Sequence, residues 1–269
     1  MATINPLRRR RPSALVVAVA TLTVAFLAVP IIGLLTKASW STLWADLTTP
    51  LAIDALRLSL VCSLWATGLS LVFGLPLAWV LARTHFPGRN LVRALTILPM
   101  VLPPVVGGVA LLLAFGRDGI LGRPLFDWFG IQMTFSTAGA VMAETFVAMP
   151  FLIITVEAAL RSLDGRYEEA AANLGAGRWT TFRRVTLPMI SSSLVAGAAL
   201  TWARALGEFG ATVTFAGDIQ GRTQTLPLAV YLALQQNEQV AIALSLALLA
   251  VSIVVLVALR GRWLGAISS

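Results

Sequence analysis

Apolar residues along the chain gather in long unbroken runs. They show neither the strict alternation of a half-buried strand nor the narrow stripe of a soluble amphipathic helix. Six runs, at 14–35, 55–82, 94–115, 138–160, 187–206 and 240–259, reach the roughly 20 mostly apolar residues a helix needs to cross the hydrocarbon layer. The pattern predicts an all-α integral membrane protein with six transmembrane helices. The first run follows the basic cluster Arg8 to Arg11, as in a secretory signal. It is longer than a signal h-region and no small-residue cleavage site follows Pro30, so it reads as a retained anchor.

Two places break the regularity. The third run contains Leu98-Pro99, Leu102-Pro103-Pro104 and Gly107-Gly108. Prolines remove backbone donors, and the freed carbonyls must find partners other than lipid. This segment therefore either faces a polar path or kinks at a packed helix interface. Between the fifth and sixth runs, residues 210–239 are too polar to cross, and 227–234 predicts a short helix at the outer surface. The chain has no internal repeat.

Composition agrees with a lipid-solvated chain: 58% of the 269 residues are hydrophobic and 12% are charged, half the charged share of a soluble domain. The formal net charge of +8 would suit a nucleic-acid partner, but its distribution excludes that reading. With the N-terminus inside, fourteen basic residues fall on the cytoplasmic side: Arg8 to Arg11, Arg83, Arg89, Arg93, Arg161, Arg166, Arg178, Arg183, Arg184, Arg260 and Arg262. Four (Lys37, Arg117, Arg123, Arg222) fall outside, and Arg57 and Arg204 lie within spans. The positive-inside rule then places both termini in the cytoplasm. The lone cysteine, Cys62, sits in an apolar run, which excludes an intrachain disulfide and suggests a small buried hydrophobe. The chain divides into a tail, first helix and outer loop at 1–53, a five-helix core at 54–260, and a tail at 261–269.

The third cytoplasmic loop carries the clearest motif. It reads Glu169-Ala170-Ala171, three residues, Gly175, nine residues, then Val185-Thr186-Leu187-Pro188, with Glu168 ahead of it. The Ala- and Glu-rich stretch favours helix. Gly175 and Gly177 allow a turn, with Gly175 as terminator, and Pro188 suits the start of the following helix. The loop resembles the EAA loop of bacterial ABC-importer permeases at every motif position. The resemblance implies the type I importer permease fold. It also implies that Glu168, Glu169, Ala170, Ala171, Gly175, Leu187 and Pro188 form a coupling element docking on a separate ATP-binding subunit.

The chain itself has no machinery for burning ATP. It contains no Gly-x-x-x-x-Gly-Lys-Ser/Thr, and Lys37 is its only lysine. Gly-x-Ser-x-Gly and His-Glu-x-x-His are absent, and His85 lies in a loop beside Pro87 and Gly88. No catalytic, metal or cofactor-binding residue is expected.

A second stretch, Arg204-Ala205-Leu206-Gly207-Glu208-Phe209-Gly210-Ala211-Thr212, is similar to the molybdate, tungstate and sulfate permeases. Phe215-Ala216-Gly217 and residues 221–231 are similar to the molybdate branch. The resemblance implies a homodimer in the bacterial inner membrane, served by two ATPase subunits and one extracytoplasmic binding protein for a tetrahedral dianion. From the residues themselves, an oxyanion path needs neutral donors or cations. Thr212, Thr214, Thr223 and Thr225 are suitable donors or, equally, turn residues. Pro103, Pro104, Arg204, Glu208, Thr212 and Thr214 are the expected gate or path positions. Arg204 and Glu208, four apart, should pair on one helix face, either locking the helix or lining an outer gate. Exchanging the two charges should restore a purely structural pair. Glu144 fits an anion path poorly; it pairs with an arginine or stays protonated. The rivals are a sulfate or thiosulfate permease, and a proton-coupled secondary transporter using Glu144, Glu157 and Glu208.

Overall fold

The computed structural model describes residues 13–267. The cluster at residues 8–11 lies outside the described residues, as do the side chains of Arg260 and Arg262. Every regular element among the described residues is helical.

Helix α1 (Ala14–Lys37) opens where Ser13 Oγ accepts the Val16 amide at 3.4 Å. Its 24 residues span about 36 Å and bury no side chain. After a short helix, α2 (Leu43–Leu47), α3 (Pro50–Arg83) runs for 34 residues. It begins five residues before the expected second span, because Thr49 Oγ1 caps the Ala52 amide at 3.3 Å and Pro50 suits a first turn.

Along the first two thirds of α3 the buried positions are Ala52, Ala55, Ser59, Cys62, Ser63, Ala66 and Ser70, with Leu58 the one large side chain among them. These small residues recur every three or four positions, so one face of the helix presents little more than backbone. Lipid tails are as apolar as leucine, so membrane helices associate through such close packing. Cys62 is fully buried in this stripe, beside Leu58, Ala140 and Ala216.

The third run is not one straight span. Helices α4 (Arg89–Val101) and α5 (Pro104–Phe115) meet at a bend of 118°. Pro103 and Pro104 cannot donate, and Leu102 and Pro103 are extended there. Helix α5, about 18 Å long, is too short to cross alone. A short helix, α6 (Gly122–Phe129), leads to α7 (Thr137–Ser162), the most buried of the four long apolar helices. Helix α7 packs against α3, α4, and the later helices α10 (Ser191–Leu206) and α11 (Gly210–Phe215). Its Leu152, Ile153, Val156 and Leu160 share one core cluster with Ala78, Leu81 and Ile190.

Between α7 and α10 lie α8 (Arg166–Asn173) and α9 (Arg178–Met189), the latter bent by 74° from α10 at Ile190. Pro188 stands two residues before this bend, and α9 and α10 together make up the fifth span. Two π-helical turns, Ser70–Gly74 and Phe182–Thr186, each end one residue before a Leu-Pro pair, Leu75-Pro76 and Leu187-Pro188. The wider turn accommodates a ring that cannot join the ordinary ladder.

The polar stretch after α11 contains the expected short helix, whose first turn is packed inside the fold. Helix α12 (Leu226–Gln236) buries Leu226, Leu228 and Ala229 against α3 and the last helix, α13 (Glu238–Ile267). The Leu226 amide donates to Ser59 Oγ at 2.6 Å, fixing α12 to the small-residue face of α3. Among the described residues four helices are long and apolar enough to cross a membrane, and counting each bent pair as one span brings the total to six.

Candidate coupling loop and translocation path

Helix α8 is only eight residues long, too short to persist alone in water. Its ends and one side chain hold it. At the start, Asp164 Oδ1 accepts the Arg166 amide at 3.0 Å. At the end, the Ala176 amide reaches Ala171 O at 3.0 Å and the Gly175 amide reaches Ala172 O at 2.9 Å. Gly175 sits at φ 83° in the left-handed region, so the pair of bonds forms a Schellman stop. Gly177, at φ −68° and ψ 160°, is extended and needs no glycine, contrary to expectation.

Glu168 turns toward the membrane helices. Its Oε1 accepts the Thr186 hydroxyl at 2.7 Å and Arg83 Nη2 at 3.3 Å. One carboxylate oxygen thus joins α8 to the π turn of α9 and to the end of α3. The opposite side of α8 is left bare. Tyr167, Ala170 and Leu174 follow one another at helical spacing, and all three are exposed, Leu174 at 89%. Glu169 is exposed beside them and Ala171 is half-buried. Leu187 is half-buried, Pro188 exposed and Thr186 buried.

Gly175→Val is expected to fray the last turn of α8. A β-branched residue at positive φ costs about 1–3 kcal/mol, and no atom lies within 4 Å of a Cβ built there, so the strain is wholly in the backbone. Trypsin should then cut after Arg178 several-fold faster in the detergent-purified variant. Unchanged cleavage would show that the stop does not hold the helix.

The second group of expected residues converges where α10 breaks. Helix α10 ends at Leu206, and α11 starts at Gly210. Between them Glu208, 1% exposed, places Oε2 2.6 Å from Arg204 Nη2 and accepts the Ala211 amide on Oε1 at 2.8 Å. The carboxylate therefore neutralises Arg204 and also supplies an acceptor to the first turn of α11.

Helix α11 lies across α5 at closest approach through two glycines. A Cβ on Gly108 would stand 2.6 Å from Thr214 Cβ and 2.9 Å from Ala211 O; one on Gly210 would stand 2.9 Å from Pro104 Cβ. Pro103 and Pro104 thus form an elbow seated against the helix bearing Thr212 and Thr214.

The four threonines differ. Thr214 donates to Gly210 O at 2.7 Å, and Thr223 Oγ1 accepts the Ile219 amide at 2.8 Å, so both stabilise local backbone. Thr212 and Thr225 are buried with hydroxyls that have no partner. Glu144 is buried in α7 with Oε2 unpartnered, and no arginine pairs with it among the described residues. Glu157 is bound by Arg93 and, at 3.7 Å, by Arg161. Two of the three carboxylates a proton-coupled carrier would use are therefore neutralised by arginine.

Sequence reasoning did not single out Arg83 and Thr186 as the partners of Glu168, nor the Gly108–Gly210 crossing. The glycines were visible in the chain; which of them meet depends on the 118° bend.

The described residues thus form a multi-pass helical bundle with a broken third span and a loop helix pinned by Glu168. Its fold is similar to a chain of a bacterial ABC transporter involved in the import of the acidic polysaccharide alginate, with TM-score 0.69, 21% identity, and 92% and 93% of the two chains covered. Residues 70–266 match the family described as binding-protein-dependent transport system inner membrane component, and the chain belongs to that family. It is 46% identical over 239 residues to the molybdenum transport system permease protein ModB of Mycobacterium tuberculosis, covering 89% of this chain and 90% of that one. It is 40% identical over 223 residues to the sulfate transport system permease protein CysT of Escherichia coli, covering 82% and 80%.

Proposed function

We propose that this chain is the permease subunit of a molybdate importer, tungstate being a second cargo, with ATP hydrolysed by a separate subunit. The observation that carries the cargo assignment is the 46% identity to a molybdenum transport permease across nearly the whole of both chains. Sulfate or thiosulfate is the second reading, favoured by the 40% identity to a sulfate permease.

The coupling assignment draws on the bare apolar stripe Tyr167–Ala170–Leu174 beside Glu169, on a helix pinned from behind by Glu168. An ATP-binding subunit docks there, one per permease copy in a homodimer, and an extracytoplasmic binding protein delivers the anion. Both termini and α8 face the cytoplasm of a bacterial inner membrane. The division at 1–53, 54–260 and 261–269 belongs to the same proposal. Arg204, Glu208, Thr212, Pro103 and Pro104 form the outer constriction of the path, with Thr214 shaping it through its backbone bond.

The test is ATPase activity of the reconstituted complex with its binding protein. Molybdate is expected to stimulate it several-fold, and sulfate not at all. Stimulation by sulfate alone would select the second reading. In the same vesicles a cysteine at Trp179, in a Cys62→Ser background, should resist labelling from outside; labelling there would overturn the orientation.

A further inference from the structure

We propose that a cleft beside α8 binds an anionic phospholipid, with one acyl chain along α3 and the phosphate at Arg83 and Arg178. The inference rests on the proposed orientation, which sets this end of the bundle at the cytoplasmic leaflet. In its last third, α3 turns Leu71, Val72 and Leu75 toward a groove whose other wall is Trp179 and Phe182 of α9. Those two rings stack with centroids 5.8 Å apart, giving that wall a flat aromatic surface. The groove holds about 640 Å³ and its lining is almost wholly carbon.

At the α8 end the groove opens into a second cavity of about 460 Å³ with a different character, lined by Arg83, Thr84, Glu168, Arg178, Thr181 and Thr186 among others. Trp79, Arg178 and Phe182 line both spaces, so the apolar groove and the polar pocket are one continuous feature.

Charge complementarity selects the occupant. Glu168 is the one carboxylate on the polar lining, and Arg83 and Thr186 already engage it. Arg178 has no ion-pair partner among the described residues, and Arg83 Nε is buried without an acceptor. Two guanidinium groups against one neutralised carboxylate leave a surplus positive charge with donors suited to phosphate oxygens. A free phosphate would use only the polar half and leave the groove unexplained. A phospholipid uses both: basic pockets between membrane helices on the cytoplasmic side take acidic headgroups, and Trp79 and Trp179 fit the headgroup level. The bound lipid would touch α3, α8 and α9 together, so its presence would tune how firmly α8 is held.

The experiment is native mass spectrometry of the full-length permease, released from membranes containing phosphatidylglycerol and a zwitterionic lipid. Retained phosphatidylglycerol is expected on the wild type. Arg178→Gln, which loses a charged donor, and Val72→Trp, which fills the groove at an exposed position, should each retain about tenfold less. Arg178→Lys should keep most of it, and millimolar inorganic phosphate should not displace it. Equal retention of the zwitterionic lipid, displacement by phosphate, or unchanged retention in both variants would overturn the proposal. So would a cross-link from residue 72 to a second copy of the chain, which would make the groove a subunit contact. Lipid retention is read on the permease without its ATPase, so a failure of the coupling assignment would appear separately, as lost ATPase association.

Discussion

Exchanging the charges of Arg204 and Glu208 is expected not to restore a working protein. A simple ion pair would tolerate the swap, since the attraction is the same in either direction. Glu208 is more than half of a pair: its second oxygen accepts the Ala211 amide at 2.8 Å. Arginine at 208 has donors only and cannot replace that acceptor. The swapped chain would leave a buried amide unmet, at about 1–3 kcal/mol, and drive a guanidinium into a position 1% exposed. Glu208→Gln separates the two roles, because its amide oxygen can still accept from Ala211 while the charge is gone. Melting in detergent should therefore rank wild type above Glu208→Gln, and Glu208→Gln above the swap. A swap that melts with the wild type would show that the Ala211 bond carries no weight. Transport adds a further distinction: Glu208→Gln frees Arg204, and altered anion uptake in a stably folded Gln variant would support a constriction role.

Gly108→Val should sharply reduce the amount of assembled protein. A Cβ there meets Thr214 Cβ at 2.6 Å and the carbonyl of Ala211 at 2.9 Å. Backbone cannot rotate away as a long side chain can, so α5 and α11 must separate. Overpacking of a filled interface costs about 1–3 kcal/mol, and separation would also uncover the buried hydroxyl of Thr212. Little assembled protein is expected from membranes, with Gly108→Ala intermediate. Gly68→Ala is the matched control, since nothing lies within 4 Å of its added Cβ, and it should assemble normally. If Gly108→Val and Gly68→Ala gave equal yields, the tight crossing would have no role in stability.

The spans were legible because their signal is composition over about 20 residues, which neighbours cannot hide. The loop helix was legible too: its alanines, its acidic start and Gly175 act locally, and glycine tolerates the positive φ that ends the helix there. What stayed hidden depended on distant meetings. Pro103-Pro104 announced a break, yet neither its angle of 118° nor the helix α11 packed against it. Residues 223–226 look like an exposed polar turn, but all four are buried because Ser59, 167 positions earlier, waits for the Leu226 amide. Gly177 looks like Gly175 in the chain and adopts an ordinary extended conformation. The Arg204–Glu208 pair was readable from spacing; the second oxygen's task was not, because it needed the chain to turn at residues 207–209.

The double attachment of Glu168 has a mechanical meaning. A side chain with one partner can swing about it, while a side chain held by two partners must carry both along. With Arg83 and Thr186 holding the same oxygen, α8 cannot roll about its own axis without dragging the end of α3 and the arm that leads into α10. In the proposed coupling, a push on its bare side would reach both of those elements. Cutting either attachment turns a lever into a hinge, and the stroke would be spent inside the loop.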